Sequence, residues 1–391
     1  MLSRRAFVTG ALAAVTVPAL TAKGLGATGF PPVPFADLQS MIDAATAQAR
    51  QQHMANLAVV LGVVNPRGNG QLLFAGAQGL ANPAGRPLAL DGHTPFEIGS
   101  IAKVFTACVH YAQHGPFEGT LGRWLAPRRL SAALAAIPLA DIARYQSGML
   151  QDNHGSPHPP GIMQSFDRLF GYLATVRPLG GPGRCYSYSN LSWSLLAMAG
   201  NGAGTGTAAA FADRYDRALG AFCSGVGMSG TGIFRPEVKR QLPLAYRRDW
   251  RALPAAADYQ PTRLAGVGSG GIVSTGSDML AFLRHSMGFD ANGGASPALA
   301  YLQGQAFSAP ACRGGRAPRT AYGWILHDVE DPTGPLTLVT KDGAVAGFTA
   351  WMGFLAWQGT GTPSPFGVFV LCNGPGASGL GLRAMRRILD A

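Results

Sequence analysis

Strand-like runs stand only at the two ends of this 391-residue chain, and a long helical, loop-rich stretch separates them. Near the N-terminus, Leu57–Val64 and Gln71–Ala77 are apolar runs, and the turn-forming Asn65-Pro66-Arg67-Gly68-Asn69-Gly70 between them predicts a hairpin. Near the C-terminus come four more short apolar runs, Ala321–Val329, Leu336–Thr340, Thr349–Trp357 and Gly367–Asn373, then a last helix over about Ser378–Leu389. A further helix is predicted ahead of the hairpin, where Phe35, Leu38, Met41, Ile42, Ala45 and Ala49 recur at helical spacing. Strands this far apart in sequence bury their faces by meeting in space. The predicted fold is therefore a sheet assembled from both termini, residues 28–115 and 265–391, with a mainly helical region, 116–264, inserted between them. No internal repeat is visible.

Hydrophobic residues make up 47% of the chain, enough for a large core, and charged residues only 13%. With 54 glycines and 28 prolines this describes a loop-rich globular protein, not a disordered one. The net charge of +11 is mostly arginine. Its basic pairs, Arg128-Arg129, Arg247-Arg248 and Arg386-Arg387, are scattered and form no stripe, so nucleic-acid binding is not expected. A solvated surface accounts for them, with weak attraction to anionic envelope polymers such as peptidoglycan as the alternative.

Residues 1–27 read as an export signal. Ser3-Arg4-Arg5-Ala6-Phe7 opens an apolar run to about Leu20 that is too short to span a bilayer, the pattern of a twin-arginine leader cleaved between about Ala19 and Ala27. No later segment is long and apolar enough for an integral membrane span, so a periplasmic or secreted monomer is expected. Five dispersed cysteines (Cys108, Cys185, Cys223, Cys312 and Cys372) include no C-x-x-C pair, which argues against metal or redox chemistry. Buried free thiols are the default expectation; an oxidising compartment would permit a disulfide without naming its partners.

Lysine is scarce, at Lys23, Lys103, Lys239 and Lys341 alone, so its placement is informative. Lys103 follows Ser100 by three residues in Phe96-Glu97-Ile98-Gly99-Ser100-Ile101-Ala102-Lys103. On a helix beginning at Ser100, the two side chains would share a face. A desolvated lysine there could take the serine proton, and backbone N–H groups at the helix start could stabilise an oxyanion. S-x-x-K alone is a weak signal. Further segments lie downstream, in order: Pro182-Gly183 and Tyr186-Ser187-Tyr188-Ser189-Asn190-Leu191; Gly270-Gly271-Ile272-Val273-Ser274-Thr275 with Asp278; Tyr322-Gly323-Trp324; and Lys341-Asp342-Gly343 with Gly347-Phe348.

Together these segments resemble the signature of class C β-lactamases and the related DD-peptidases and esterases, over nearly the whole chain beyond its leader. The resemblance implies an α+β fold (an α/β sandwich of the β-lactamase/transpeptidase type), its antiparallel sheet flanked by helices and its active site between sheet and helical regions. It implies that Ser100 forms an acyl-enzyme, with Lys103 and Tyr188 as the proton-transfer group. On this reading the cationic neighbourhood of Lys103 and Lys341 would lower the Tyr188 pKa toward that of a useful base. Asn190 would hold Lys103 and the substrate amide, Gly343 and Ala344 would edge the site, and the N–H groups of Ser100 and Ala344 would form the oxyanion hole. Gln151 would line the substrate side. No metal or organic cofactor is implied. The substrate would be a small molecule or peptide carrying an amide, ester or β-lactam carbonyl, and the competing reading is a sensor module that acylates without turnover.

Two departures from the family pattern stand out. Asp342 occupies a position where β-lactamases of this kind usually carry Thr or Ser toward a substrate carboxylate; a carboxylate there should repel such a substrate unless it pairs with an arginine or with Lys341. Val345-Ala346-Gly347 replaces a common Gly pair. Other signals are weaker. Gly266-Val267-Gly268-Ser269-Gly270-Gly271 satisfies G-x-G-x-x-G without a preceding strand, and His110 and His114 share a helical face without a third metal ligand.

Overall fold

Apolar residues at nearly every position of Val59-Val60-Leu61-Gly62-Val63-Val64 require cover on both faces of the strand they form, and the fold supplies it. The computed structural model describes residues 32–51, 54–76, 78–152, 158–159, 161–235, 238, 240–246, 265–289, 297–329, 336–345, 347–357 and 366–391. The twin-arginine region, its cleavage window and Ala346 lie outside the described residues. The strands are β1 (Val59–Val64), β2 (Gly70–Ala75), β3 (Pro95–Glu97), β4 (Gly232–Ile233), β5 (Ile272–Thr275), β6 (Arg319–Thr320), β7 (Ile325–Val329), β8 (Leu336–Val345), β9 (Phe348–Trp357) and β10 (Gly367–Cys372).

Among the described residues, seven strands form one antiparallel sheet in the order β2-β1-β10-β9-β8-β7-β6. The first strand pairs with the last, Val59 opposite Cys372 and Val64 opposite Gly367, so the two ends of the chain close one sheet. Alternation along β1 sorts its side chains between two cores. Val59, Leu61 and Val63 join Leu38 and Ile42 of the helix Phe35–Gln51 and Leu380, Ala384 and Ile388 of Ala377–Asp390. Val60 and Val64 join Met279, Phe282 and Leu283 of Gly276–Ser286 on the other side. Each such Val or Leu contributes roughly 1.5–3 kcal/mol by burial, which explains why these strands read as continuous apolar runs rather than alternating ones. The α+β fold expected from the sequence is the fold observed.

Strand boundaries differ at two informative places. β8 runs on past Thr340 to Val345, because Lys341–Val345 continue the ladder against Phe348–Met352 of β9. β7 starts only at Ile325, because Ala321–Trp324 forms a turn in which Ala321 N–H donates to Trp324 O and Gly323 holds a φ of 83°. A smaller sheet, β3-β5-β4, sets Phe96 opposite Ser274 and carries the chain directly into Ser100. No helix among the described residues is long and apolar enough to cross a membrane.

Free thiols were the default expectation for all five cysteines, and the structure corrects this for two of them. Cys185 and Cys312 form a disulfide, while Cys108, Cys223 and Cys372 are free and buried. The pairing follows from backbone contacts: Tyr186 N–H donates to Pro310 O, and Cys312 N–H donates to Tyr186 O, bringing the two Cα atoms to 5.0 Å.

Candidate active site

Ser100 sits at the centre of a 3-10 turn, Gly99–Ile101, which runs without a break into the helix Ala102–His114. The α-helix therefore begins two residues later than the sequence suggested, yet the i,i+3 geometry survives because the turn is continuous with it. Ser100 is half-buried, whereas Lys103 is fully buried. The Lys103 ammonium is within hydrogen-bond distance of three oxygens: Ser100 Oγ at 3.0 Å, Asn190 Oδ1 at 2.7 Å and the Ser269 carbonyl at 2.7 Å. Burial, and after it the charge of Lys341, hold the Lys103 pKa well below that of a free lysine, while Asp152 and Asp342 oppose them.

Asn190 opens the helix Asn190–Gly200, whose preceding residue Ser189 caps it by accepting from Ser192 N–H. Ser269 lies in the short helix Val267–Gly270, formed by the glycine-rich run that satisfies G-x-G-x-x-G. An imagined Cβ on Gly268 would come within 2.2 Å of Ala197 Cβ, so glycine is what lets this turn press against Asn190–Gly200 and present its carbonyl to Lys103.

Strand β8 closes the opposite side. A Cβ on Gly343 would lie 2.0 Å from Ile98 O and 2.9 Å from Ser100 N, and one on Gly99, whose φ is 51°, would lie 2.5 Å from Ala344 N. The two backbones touch, and the nitrogens of Ser100 and Ala344 both lie at this contact.

Tyr188 is flanked by both lysines, with Lys103 Nζ 4.9 Å and Lys341 Nζ 5.5 Å from its ring centroid. Tyr145, held in a left-handed backbone conformation (φ 62°), stacks on it at 5.6 Å, and Tyr145 O accepts from Ser187 N–H. The expectation that the lysines would lower the Tyr188 pKa is not met: its pKa is raised. Burial is the largest cause and the negative charge of Asp342 the next; the approach to Ser100 offsets them only in part, and Asp152 adds to the rise. The cations lie over the ring, while desolvation acts on the phenolic oxygen itself. The Tyr188 hydroxyl is buried and makes no hydrogen bond of ordinary geometry among the described residues, although Ser100 is near enough to favour its ionised form.

Lys341 is also fully buried at its side chain, and its ammonium donates to Asp342 O at 2.7 Å and Asp342 Oδ1 at 3.1 Å. Of the outcomes open to Asp342, the structure shows the pair with Lys341. Burial pushes the Asp342 carboxyl upward, but the Lys341 charge and hydrogen bonds outweigh it and hold the group below the usual carboxylate range. The Asp342 side chain is 23% exposed and that of Lys341 is not exposed at all, so of the two charges only the carboxylate reaches the surface.

The structure thus brings Ser100, Lys103, Tyr188, Asn190, Lys341, Gly343 and Ala344 together. Gln151 is exposed. Its neighbour Asp152, which the sequence did not single out, accepts from Asn190 N–H at 2.6 Å and Leu191 N–H at 3.0 Å. Ser269 was missed for a related reason: it acts through a carbonyl oxygen, which every residue carries.

A sequence model of the family described as Beta-lactamase matches residues 44–391. Among curated proteins, the D-alanyl-D-alanine-carboxypeptidase/endopeptidase AmpH of Escherichia coli K12 is 25% identical over 239 residues. That match covers 58% of this chain and 57% of the relative, so it spans little more than half of either. Among solved structures, a D-alanine carboxypeptidase from Burkholderia cenocepacia superposes with a TM-score of 0.64 at 20% identity, covering 91% of this chain and 99% of that one. A class C β-lactamase from Rhodobacter sphaeroides gives 0.65 at 20% identity, covering 90% and 99%. At such identities these likenesses show the fold.

Proposed function

This chain belongs to the beta-lactamase family, and from that premise we propose that it is a serine hydrolase working through an acyl-enzyme on an amide, ester or β-lactam carbonyl. One observation carries the reading: a fully buried Lys103 whose Nζ lies 3.0 Å from Ser100 Oγ. A neutral amine has two N–H groups and one lone pair. In that neutral form the two shorter contacts, to Asn190 Oδ1 and Ser269 O, would take the hydrogens and leave the lone pair for the Ser100 hydroxyl.

Ser100 Oγ then attacks the carbonyl carbon as its proton passes to Lys103. The oxyanion is stabilised by the backbone N–H groups of Ser100 and Ala344. When the C–N or C–O bond breaks, Tyr188 donates its phenolic proton to the leaving group and regains one from Lys103. A neutral Tyr188 suits this donor role, and its buried hydroxyl lies next to Ser100. Water repeats the sequence on the acyl-enzyme, with Ser100 as leaving group.

Asp342 bears on the substrate. With Lys341 committed to Asp342, a substrate carboxylate would find no free ammonium and an exposed negative charge. Neutral or cationic substrate ends are favoured. Asp342→Thr should raise kcat/KM for a carboxylate-bearing substrate over its methyl ester by about 10- to 100-fold, the range set by one charge contact near a protein surface. An unchanged ratio would show that Asp342 does not face the substrate.

We also place the protein outside the cytoplasm as a monomer exported by its twin-arginine region, acting on a small-molecule or peptide substrate, with peptidoglycan as a candidate partner. The Cys185–Cys312 disulfide supports an oxidising compartment. The test uses the purified mature protein with a chromogenic cephalosporin, a short-chain aryl ester and a D-alanyl-D-alanine peptide, followed by mass spectrometry at Ser100. Turnover through a transient adduct is expected. A lasting adduct without turnover would make the chain a sensor module, and no adduct with any probe would overturn the hydrolase reading.

A further inference from the structure

The loop after Gln151 holds a carboxylate that the mechanism above does not use. Asp152 has a side chain only 7% exposed, and both of its oxygens are engaged at the start of the helix Asn190–Gly200. Oδ1 accepts from Asn190 N–H at 2.6 Å and Oδ2 from Leu191 N–H at 3.0 Å. On its far side, His158 Nε2 lies 3.4 Å from Oδ2, and His158 Nδ1 lies 2.9 Å from the Tyr172 hydroxyl. Ser187 Oγ donates to Met149 O, tying the same loop to the Tyr188 segment. Asn190 is the residue whose Oδ1 receives the Lys103 ammonium.

We infer that Asp152 is a positioning residue of the serine centre: by holding the backbone of Asn190 and Leu191 it aims Asn190 Oδ1 at Lys103 Nζ, and through Lys103 it orients the base toward Ser100. This rests on the hydrolase reading. The placement has an electrostatic side as well. The groups facing Lys103 are Lys341, Asp152, Asp342 and Tyr188, and Asp152 is one of the two carboxylates that favour the protonated amine. Asp152 itself faces His158, Lys103 and Tyr188. A carboxylate serving only as a helix cap would stabilise the fold and leave kcat alone.

Asp152→Asn separates the two roles. It is nearly isosteric, it removes the charge, and it turns one acceptor into a donor facing an N–H. The expected result is a fall of about 10- to 100-fold in kcat, the effect of a small misplacement in a catalytic group, with KM changed far less. Loss of the negative charge lowers the Lys103 pKa further, so the acid limb of the kcat/KM profile should move to lower pH. Asp152→Glu keeps the charge and displaces the bonds; it should lower kcat and leave the acid limb in place. It also serves if Asp152→Asn does not fold. Unchanged kcat in both variants, or a lowered melting temperature with kcat and the pH profile intact, would overturn the assignment. Wild-type protein assayed in parallel separates the two failures: if it does not turn over any probe, the hydrolase reading falls, whereas if it turns over and the variants match it, only the role of Asp152 falls.

Discussion

Ser100→Ala is expected to lower hydrolysis of any accepted substrate by on the order of 10⁴-fold or more, and to abolish the covalent adduct. Lys103→Met should cost about 10²- to 10⁴-fold in kcat, because the proposed general base is removed while a side chain of similar length still fills the buried site. The double variant is the sharper measurement. Residues that act as one unit do not add, so Ser100→Ala/Lys103→Met should be no slower than Ser100→Ala alone. Multiplicative losses would mean that Lys103 acts in a step that does not involve Ser100. Lys103→Arg should fail like the methionine variant, since a guanidinium stays protonated and offers no lone pair.

The second large effect concerns stability. Cys185 and Cys312 are separated by 127 residues, and closing so long a loop restricts the unfolded chain strongly. Cys185→Ser/Cys312→Ser should lose about 2–5 kcal/mol in unfolding free energy. The urea midpoint should fall, and wild-type protein kept in reductant should fall with it. Activity at low urea should change little, because the backbone bonds of Tyr186 to Pro310 and Cys312 persist without the bridge. Equal midpoints for oxidised, reduced and substituted protein would remove the disulfide from the stability of this fold.

What was legible in the sequence follows from where information is local. Ser100 and Lys103 lie within one helical turn, so their spacing alone implied a meeting, and the structure gives 3.0 Å. Lys341 stood out because lysine is rare in this chain. The strands of both termini were readable as apolar runs, since a strand covered on both faces has no polar side to show. The end of β8 was not readable from apolar patterning, which Lys341, Asp342 and Gly343 interrupt; pairing with β9 keeps them extended.

Asp152 and Ser269 escaped for a different reason. One binds backbone N–H groups 38 and 39 residues away and the other offers a backbone carbonyl, and neither contact leaves a mark in residue type or spacing. The protonation of Tyr188 went against expectation because counting nearby cations ignores how deeply the phenol is buried and how close Asp342 lies. The partner of Cys185 was likewise a matter of which loops meet.

By itself, the sequence determined the fold class and the meeting of Ser100 with Lys103, because apolar patterning and i,i+3 spacing are local. Tertiary structure alone decided which carboxylate supports Asn190, that Asp342 turns to Lys341, and that burial lowers the Lys103 pKa while raising that of Tyr188. Those outcomes depend on desolvation and on distances between segments far apart in the chain, and such quantities exist only once the core has closed.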